Sequence, residues 1–60
     1  MTDFKLGNIV IITGNAWRQC GKAAIVTDVR APHGYRLAEY TVYVDNNLFI
    51  FYGPELELIR

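Results

Sequence analysis

The chain carries a single cysteine, Cys20, and a single histidine, His33. One thiol excludes an internal disulfide, and two soft ligands fall short of the four that a structural zinc site gathers. No metal and no cofactor are expected. Formal net charge is zero, which removes the basic excess that gives most non-specific nucleic-acid binders their affinity. Long apolar runs are missing too. The longest, Ile9–Ile12 and Leu48–Tyr52, fall far below the roughly 20 residues that span a bilayer as a helix, so no membrane role is expected. The opening residues, Met1-Thr2-Asp3-Phe4-Lys5, hold no basic start followed by an apolar stretch. A lone thiol without an export signal points to a reducing cytoplasm. Alanine is sparse and the apolar spacing alternates, which excludes a helical bundle.

What remains is a short, apolar chain built from strands and turns. Sixty residues make one domain, residues 1–60. At that size only about 60% of the unfolded chain's surface is buried, and a partner subunit is one common source of extra stability. Hydrophobic residues make up 52% of the chain, too many for disorder. Ile9-Val10-Ile11-Ile12-Thr13 is β-branched at every position and reads as a first strand. Gly14–Gly21 is a polar loop, and Ala23–Val29 is the second strand. Arg30–Arg36, with Pro32 and Gly34, is a loop. Glu39–Val44 is the third strand, with Tyr40, Val42 and Val44 on one face and Thr41 and Tyr43 on the other. Asp45-Asn46-Asn47 predicts a tight hairpin, because asparagine and aspartate tolerate positive φ. Leu48–Tyr52 returns, Gly53-Pro54 stops it, and Glu55–Ile59 is a last short strand entered through a helical turn. Val10, Ile12, Val26, Val42 and Leu58 are the expected core. The fold class is therefore all-β, as a single five-stranded antiparallel barrel.

Two segments carry a family resemblance. Gly7-x-x-Val10-x-Ile12 followed by Gly21-x-x-Ala24-x-Val26 resembles the KOW motif of ribosomal proteins and NusG-type transcription factors. The resemblance covers roughly residues 6–29. Tyr40–Val44 through Leu56–Ile59 is similar to the closing strands of SH3-like barrels. Ala24 stands where the motif usually has a second glycine, and the loop before Gly21 is long for the pattern. The resemblance implies an SH3-like barrel, a structural role for Gly21 at an unusual torsion or a close backbone approach, and contacts with RNA or protein.

No catalytic constellation is present, and the chain is not expected to be an enzyme. Cys20 and His33 have no orienting third group. Glu55 and Glu57 lie two apart, but a chain of this size offers little cleft for a carboxylate pair. No phosphate-cradling loop exists, since Gly21-Lys22 is followed by Ala23. The candidate residues are therefore binding residues. Trp17 and Arg18 are of the types most enriched at hot spots, although Trp17 would equally serve as a lid on the barrel's end. Tyr35 and Arg36 form a second aromatic–basic loop. In the register that the KOW resemblance implies, Val10 and Ile12 face the core, and alternation then turns Ile9 and Ile11 outward. In the same way, one of the sets Leu48/Ile50/Tyr52 and Phe49/Phe51 faces away from the core, with loops or Phe4 available to cover the surplus. Ile9, Ile11, Trp17, Arg18, Tyr35 and Arg36 are thus the expected partner-binding set. The expected activity is protein–protein interaction or self-association, of the kind that suits a small phage or bacterial accessory protein. The alternative is an RNA- or nucleoprotein-binding KOW-type module using Arg18, Lys22, Arg30 and Arg36, the basic residues that face only Asp28 between Trp17 and Arg36.

Overall fold

The computed structural model describes residues 4–14 and 18–59. It contains one antiparallel sheet of five strands: β1 (Ile9–Ile12), β2 (Ala23–Arg30), β3 (Glu39–Val44), β4 (Asn47–Tyr52) and β5 (Leu56–Leu58). The spatial order is β4-β3-β2-β1-β5, so β2 is central and β4 and β5 are the edges. The two edges do not pair with each other, and the sheet is open. A 3-10 turn at Gly53–Glu55 is the single helical element among the described residues.

β1 ends at Ile12, one residue short of expectation: the Thr13 N–H still donates to the Glu55 carbonyl at 2.7 Å, but Glu55 already belongs to the turn before β5. The last strand is shorter than Glu55–Ile59 for a related reason. Glu55 belongs to the 3-10 turn that Pro54 initiates, so β5 begins only at Leu56. The β3–β4 connection is a two-residue turn. Val44 pairs with Asn47, and Asp45 and Asn46 lie at φ 54° and 62°, the pair of positive torsions that matches the twist of the flanking strands.

β2 does not run straight. Its pairing with β3 jumps from Val26↔Val42 to Asp28↔Thr41, leaving Thr27 as an extra residue. The Thr27 hydroxyl donates to the Thr41 carbonyl at 3.2 Å. Such a bulge sharpens the bend of the strand and lets one sheet curl over its own inner face. The curl encloses the core: Phe4, Val10, Ile12, Ala24, Val26, Tyr40, Val42, Val44, Phe51 and Leu56. Phe4 meets the Tyr40 ring edge-on at 5.1 Å. It therefore packs inside and covers none of the outer face. In β4 the side chain that reaches the core is Phe51, with Phe49 packed against it, while Leu48, Ile50 and Tyr52 face out.

Four of the five expected core residues are buried, and Leu58 is the exception. Leu56 and Leu58 share a face, opposite Ile12 and Val10 respectively. Leu56 lies beside the 3-10 turn and is buried, whereas Leu58 sits on the margin of an edge strand and stays 40% exposed. Gly21 lies at φ +87°, and a Cβ built there would meet nothing within 4 Å. Its requirement is torsional and not a matter of space.

Val26 is 1% exposed in the central strand, so Val26→Ala should destabilise the fold by about 1–3 kcal/mol through lost burial and a residual cavity. Urea unfolding followed by circular dichroism measures this. Gly21→Val should cost more than about 1 kcal/mol, because a β-branched residue adopts positive φ only with strain, and Gly21→Asn should recover most of the loss. Equal unfolding midpoints for Gly21→Val and wild type would contradict the torsional role.

Candidate functional site

The outer face of the sheet is built by the same alternation that builds the core. Residues directly opposite in an antiparallel pair share a face. Ile9 pairs with Ile25, Ile25 with Tyr43, and Tyr43 with Leu48. Just beyond β5, Ile59 donates its N–H to the Ile9 carbonyl at 3.0 Å. Leu48, Tyr43, Ile25, Ile9 and Ile59 thus form one unbroken transverse row across the whole sheet, with strands spaced about 4.8 Å apart. Every member is exposed, from 38% at Ile25 to 62% at Leu48. Scattered exposed apolar residues are ordinary, but a contiguous row is not.

Polar groups border parts of the row, while Ile50 flanks it on β4 and Ile11 on β1. Toward one end of the strands lie Asp28 opposite Thr41, then Arg30 opposite Glu39. At the other end Lys22 Nζ meets Asp45 Oδ2 at 2.7 Å, and Glu57 stands opposite Ile11.

The expected binding residues fall in different places. Ile9 lies in the row. Ile11 is half-buried beside it. Arg18 is exposed in the turn that leads to Gly21, and Trp17 lies outside the described residues. Tyr35 is fully exposed at the tip of the β2–β3 loop, where the Arg36 N–H closes a turn onto the His33 carbonyl at 2.9 Å. Tyr35 and Arg36 therefore stand past the far end of β2, away from Ile9. Ile25, Tyr43 and Leu48 complete the row and were not among the expected binding residues. The signal for Ile25 was its place between Ala24 and Val26, both of which face in.

The basic residues also divide. Lys22 precedes β2 and Arg30 ends it, a separation of roughly 25 Å along an extended strand. Arg30 and Arg36 line a hollow of about 230 Å³ together with Ala31, His33, Leu37 and Glu39. Lys22, with Arg18 nearby in sequence, belongs to the opposite end and is held by Asp45. The same length of strand separates Cys20 from His33, so they do not form a nucleophile–base pair. Glu55 and Glu57 do not share a strand face either. The Glu55 Oε1 accepts the Tyr52 N–H at 3.0 Å, while Glu57 lies on β5.

No protein-family model matches the chain, and no characterised protein or solved structure is detectably similar to it.

The Lys22–Asp45 pair leaves both side chains about half exposed, and such pairs contribute less than about 1 kcal/mol. Lys22→Met should lower stability by no more than that. The loss should shrink further in high salt, where exposed charges are screened. Unfolding midpoints of both proteins at low and high ionic strength provide the comparison.

Proposed function

We propose that this chain is a non-enzymatic protein-interaction module that binds through the transverse apolar row on the outer face of its sheet. The observation that carries the reading is the register itself, which aligns Leu48, Tyr43, Ile25 and Ile9 side by side and leaves all four exposed. Burying such a row against a partner removes apolar area from water, the main favourable term in association. The split of the basic residues between two ends weighs on the same side, since a phosphate-tracking groove needs its charges in one stripe.

The architecture is read here as an SH3-like barrel of KOW type. Three features support that assignment. β5 returns beside β1, β2 is bent by its bulge, and the glycine that the motif resemblance singles out has a positive φ. No helix among the described residues is long and apolar enough to cross a membrane.

Ile25→Lys places a charge in the middle of the row at an already exposed position, so the fold should survive. Nuclease-treated capture by the tagged protein should lose its partner with Ile25→Lys and keep it with Arg30→Gln. Moderate salt should change binding little, because screening acts on charges and not on apolar burial. Under the RNA-binding alternative, affinity would instead fall with salt at a slope of about −0.7 per phosphate contact. Capture that disappears with nuclease, or follows that slope, would refute the proposal.

A further inference from the structure

β4 is an edge strand without the usual protection. Its six residues, Asn47–Tyr52, include no charge, no proline and no glycine. Natural edges are normally blunted by charge, proline, a bulge or shortness. The other edge has such devices. β5 is three residues long, carries Glu57 and follows Pro54.

The direction of the backbone groups on β4 follows from the register. In a two-residue hairpin the pair flanking the turn, Val44 and Asn47, is hydrogen-bonded, and bonded pairs then recur at every second position. Phe49 and Phe51 therefore spend their N–H and C=O groups on β3. Leu48, Ile50 and Tyr52 point theirs off the edge. The bonds of the neighbouring ladders keep the same phase, with the Val26 N–H on the Asn8 carbonyl and the Ile12 N–H on the Lys22 carbonyl. The Tyr52 N–H is already taken by Glu55 Oε1. Leu48 and Ile50 are left with complete outward donor and acceptor pairs and no partner among the described residues.

We infer that β4 pairs antiparallel with β4 of a second copy of this chain, about a two-fold axis at Phe49. In that register Leu48 faces Ile50 of the partner copy, and Ile50 faces the partner's Leu48. Each facing pair exchanges two N–H···O=C bonds. The four new bonds satisfy the open groups of Leu48 and Ile50 in both copies and make no demand on Tyr52. The paired side chains, 62% and 60% exposed in one chain, then pack against each other across the joint. No charge on β4 opposes its own approach, and a net charge of zero gives two copies little long-range repulsion.

A second copy suits this edge better than an open chain of copies. On β4 the open backbone groups belong to residues whose side chains face outward. On β5 they belong to inward-facing residues, and the Leu56 N–H is already bonded to the Gly53 carbonyl. Joining β4 antiparallel to another copy's β5 would set the outer face of one sheet level with the core face of the next, and a parallel joint, which keeps the faces level, would meet a strand of three residues whose Leu56 N–H is already spent. Joining β4 to β4 keeps outer with outer and closes as a dimer. The contact is smaller than the roughly 800 Å² per partner of a standard interface, so the association should be weak and concentration-dependent. It does not rest on the apolar row having a foreign partner.

The test is sedimentation equilibrium of the full chain with residue-resolved hydrogen exchange. The wild type should form dimers at chain concentrations on the order of 100 μM. The Leu48 and Ile50 amides should slow as concentration rises, whereas the Tyr52 amide, held by Glu55, should not change. Ile50→Pro removes one outward N–H and no β3–β4 bond, which an edge strand tolerates. It should raise the dimer dissociation constant at least about tenfold. Ile50→Lys, which adds charge at an exposed position, should do the same with an unchanged circular dichroism spectrum, and covers the case in which the proline variant does not fold. Ile25→Lys should leave the dimer intact. Three results would each overturn the inference: a wild type still monomeric at about 1 mM, a dimer broken by Ile25→Lys but not by either Ile50 variant, or an edge that captures only a foreign chain.

Discussion

The pairing of β2 with both of its neighbours is the constraint on which the rest of the structure depends. On one side Ala24 is set against Val10, and on the other Val26 is set against Val42. All four are buried. Because strand side chains alternate with a period of two, a slip of one residue in either ladder would exchange core for solvent along an entire strand. The Asn8 carbonyl and the Gly7 N–H clamp Val26 from the β1 side at 2.9 and 2.8 Å, next to the point where Thr27 is looped out. The register is therefore strict before the bulge and reset once after it. That single reset brings Val29 opposite Tyr40, with Tyr40 next to Phe51 in turn, and extends the inner face toward the second half of the sheet.

One curled sheet has one inside. With 52% of residues hydrophobic, a single inner face cannot take every apolar side chain, and alternation decides which are left. Phe4 does not cover the surplus, because its edge contact with Tyr40 commits it to the interior. Part of the excess forms a row, because the outward positions Ile9, Ile25, Tyr43 and Leu48 are cross-strand neighbours, and the rest, Leu6, Leu37 and Ile50 among it, is exposed elsewhere. Exposed apolar area of this kind is costly for an isolated chain.

Much of this was legible in the residues themselves. β-branched Ile9–Ile12, the alternation of Tyr40-Thr41-Val42-Tyr43-Val44 and the Asp45-Asn46 turn announce strands and a hairpin by strictly local physics. The burial of Val10, Ile12, Val26 and Val42 was expected from period two together with the register that the KOW-like spacing implies. Less legible were features that depend on register between distant strands. Whether Phe49/Phe51 or Leu48/Ile50/Tyr52 faced in could not be decided from a run in which all five residues are apolar. The choice is made by the phase of the β3 ladder. Leu58 failed as a core residue because burial depends on what lies beyond an edge, which alternation does not describe. The binding set suffered from the same limit. Tyr35 and Arg36 are conspicuous in type but stand apart from Ile9, whereas Ile25 is inconspicuous and lies between Ile9 and Tyr43.

The exposed row and the open edge have a common origin in parity. Hydrogen-bond direction and side-chain direction both alternate with period two along a strand, so their relative phase is fixed once per strand. On β4 the phase makes the outward-facing residues the edge-facing ones as well. Leu48 and Ile50 consequently present apolar side chains together with backbone groups that have no partner among the described residues, and one contact can bury the first while satisfying the second. On β5 the phase is opposite. Its outward residue, Glu57, is bonded to β1, and its edge-facing residues turn their side chains toward the core. The two edges of the same sheet are thus unequal by construction: one is short and acidic, with its Leu56 N–H already bonded, the other apolar and open among the described residues. The same phase relation puts the row's terminal residue, Leu48, at the open edge, so whatever pairs with β4 also lengthens the apolar row.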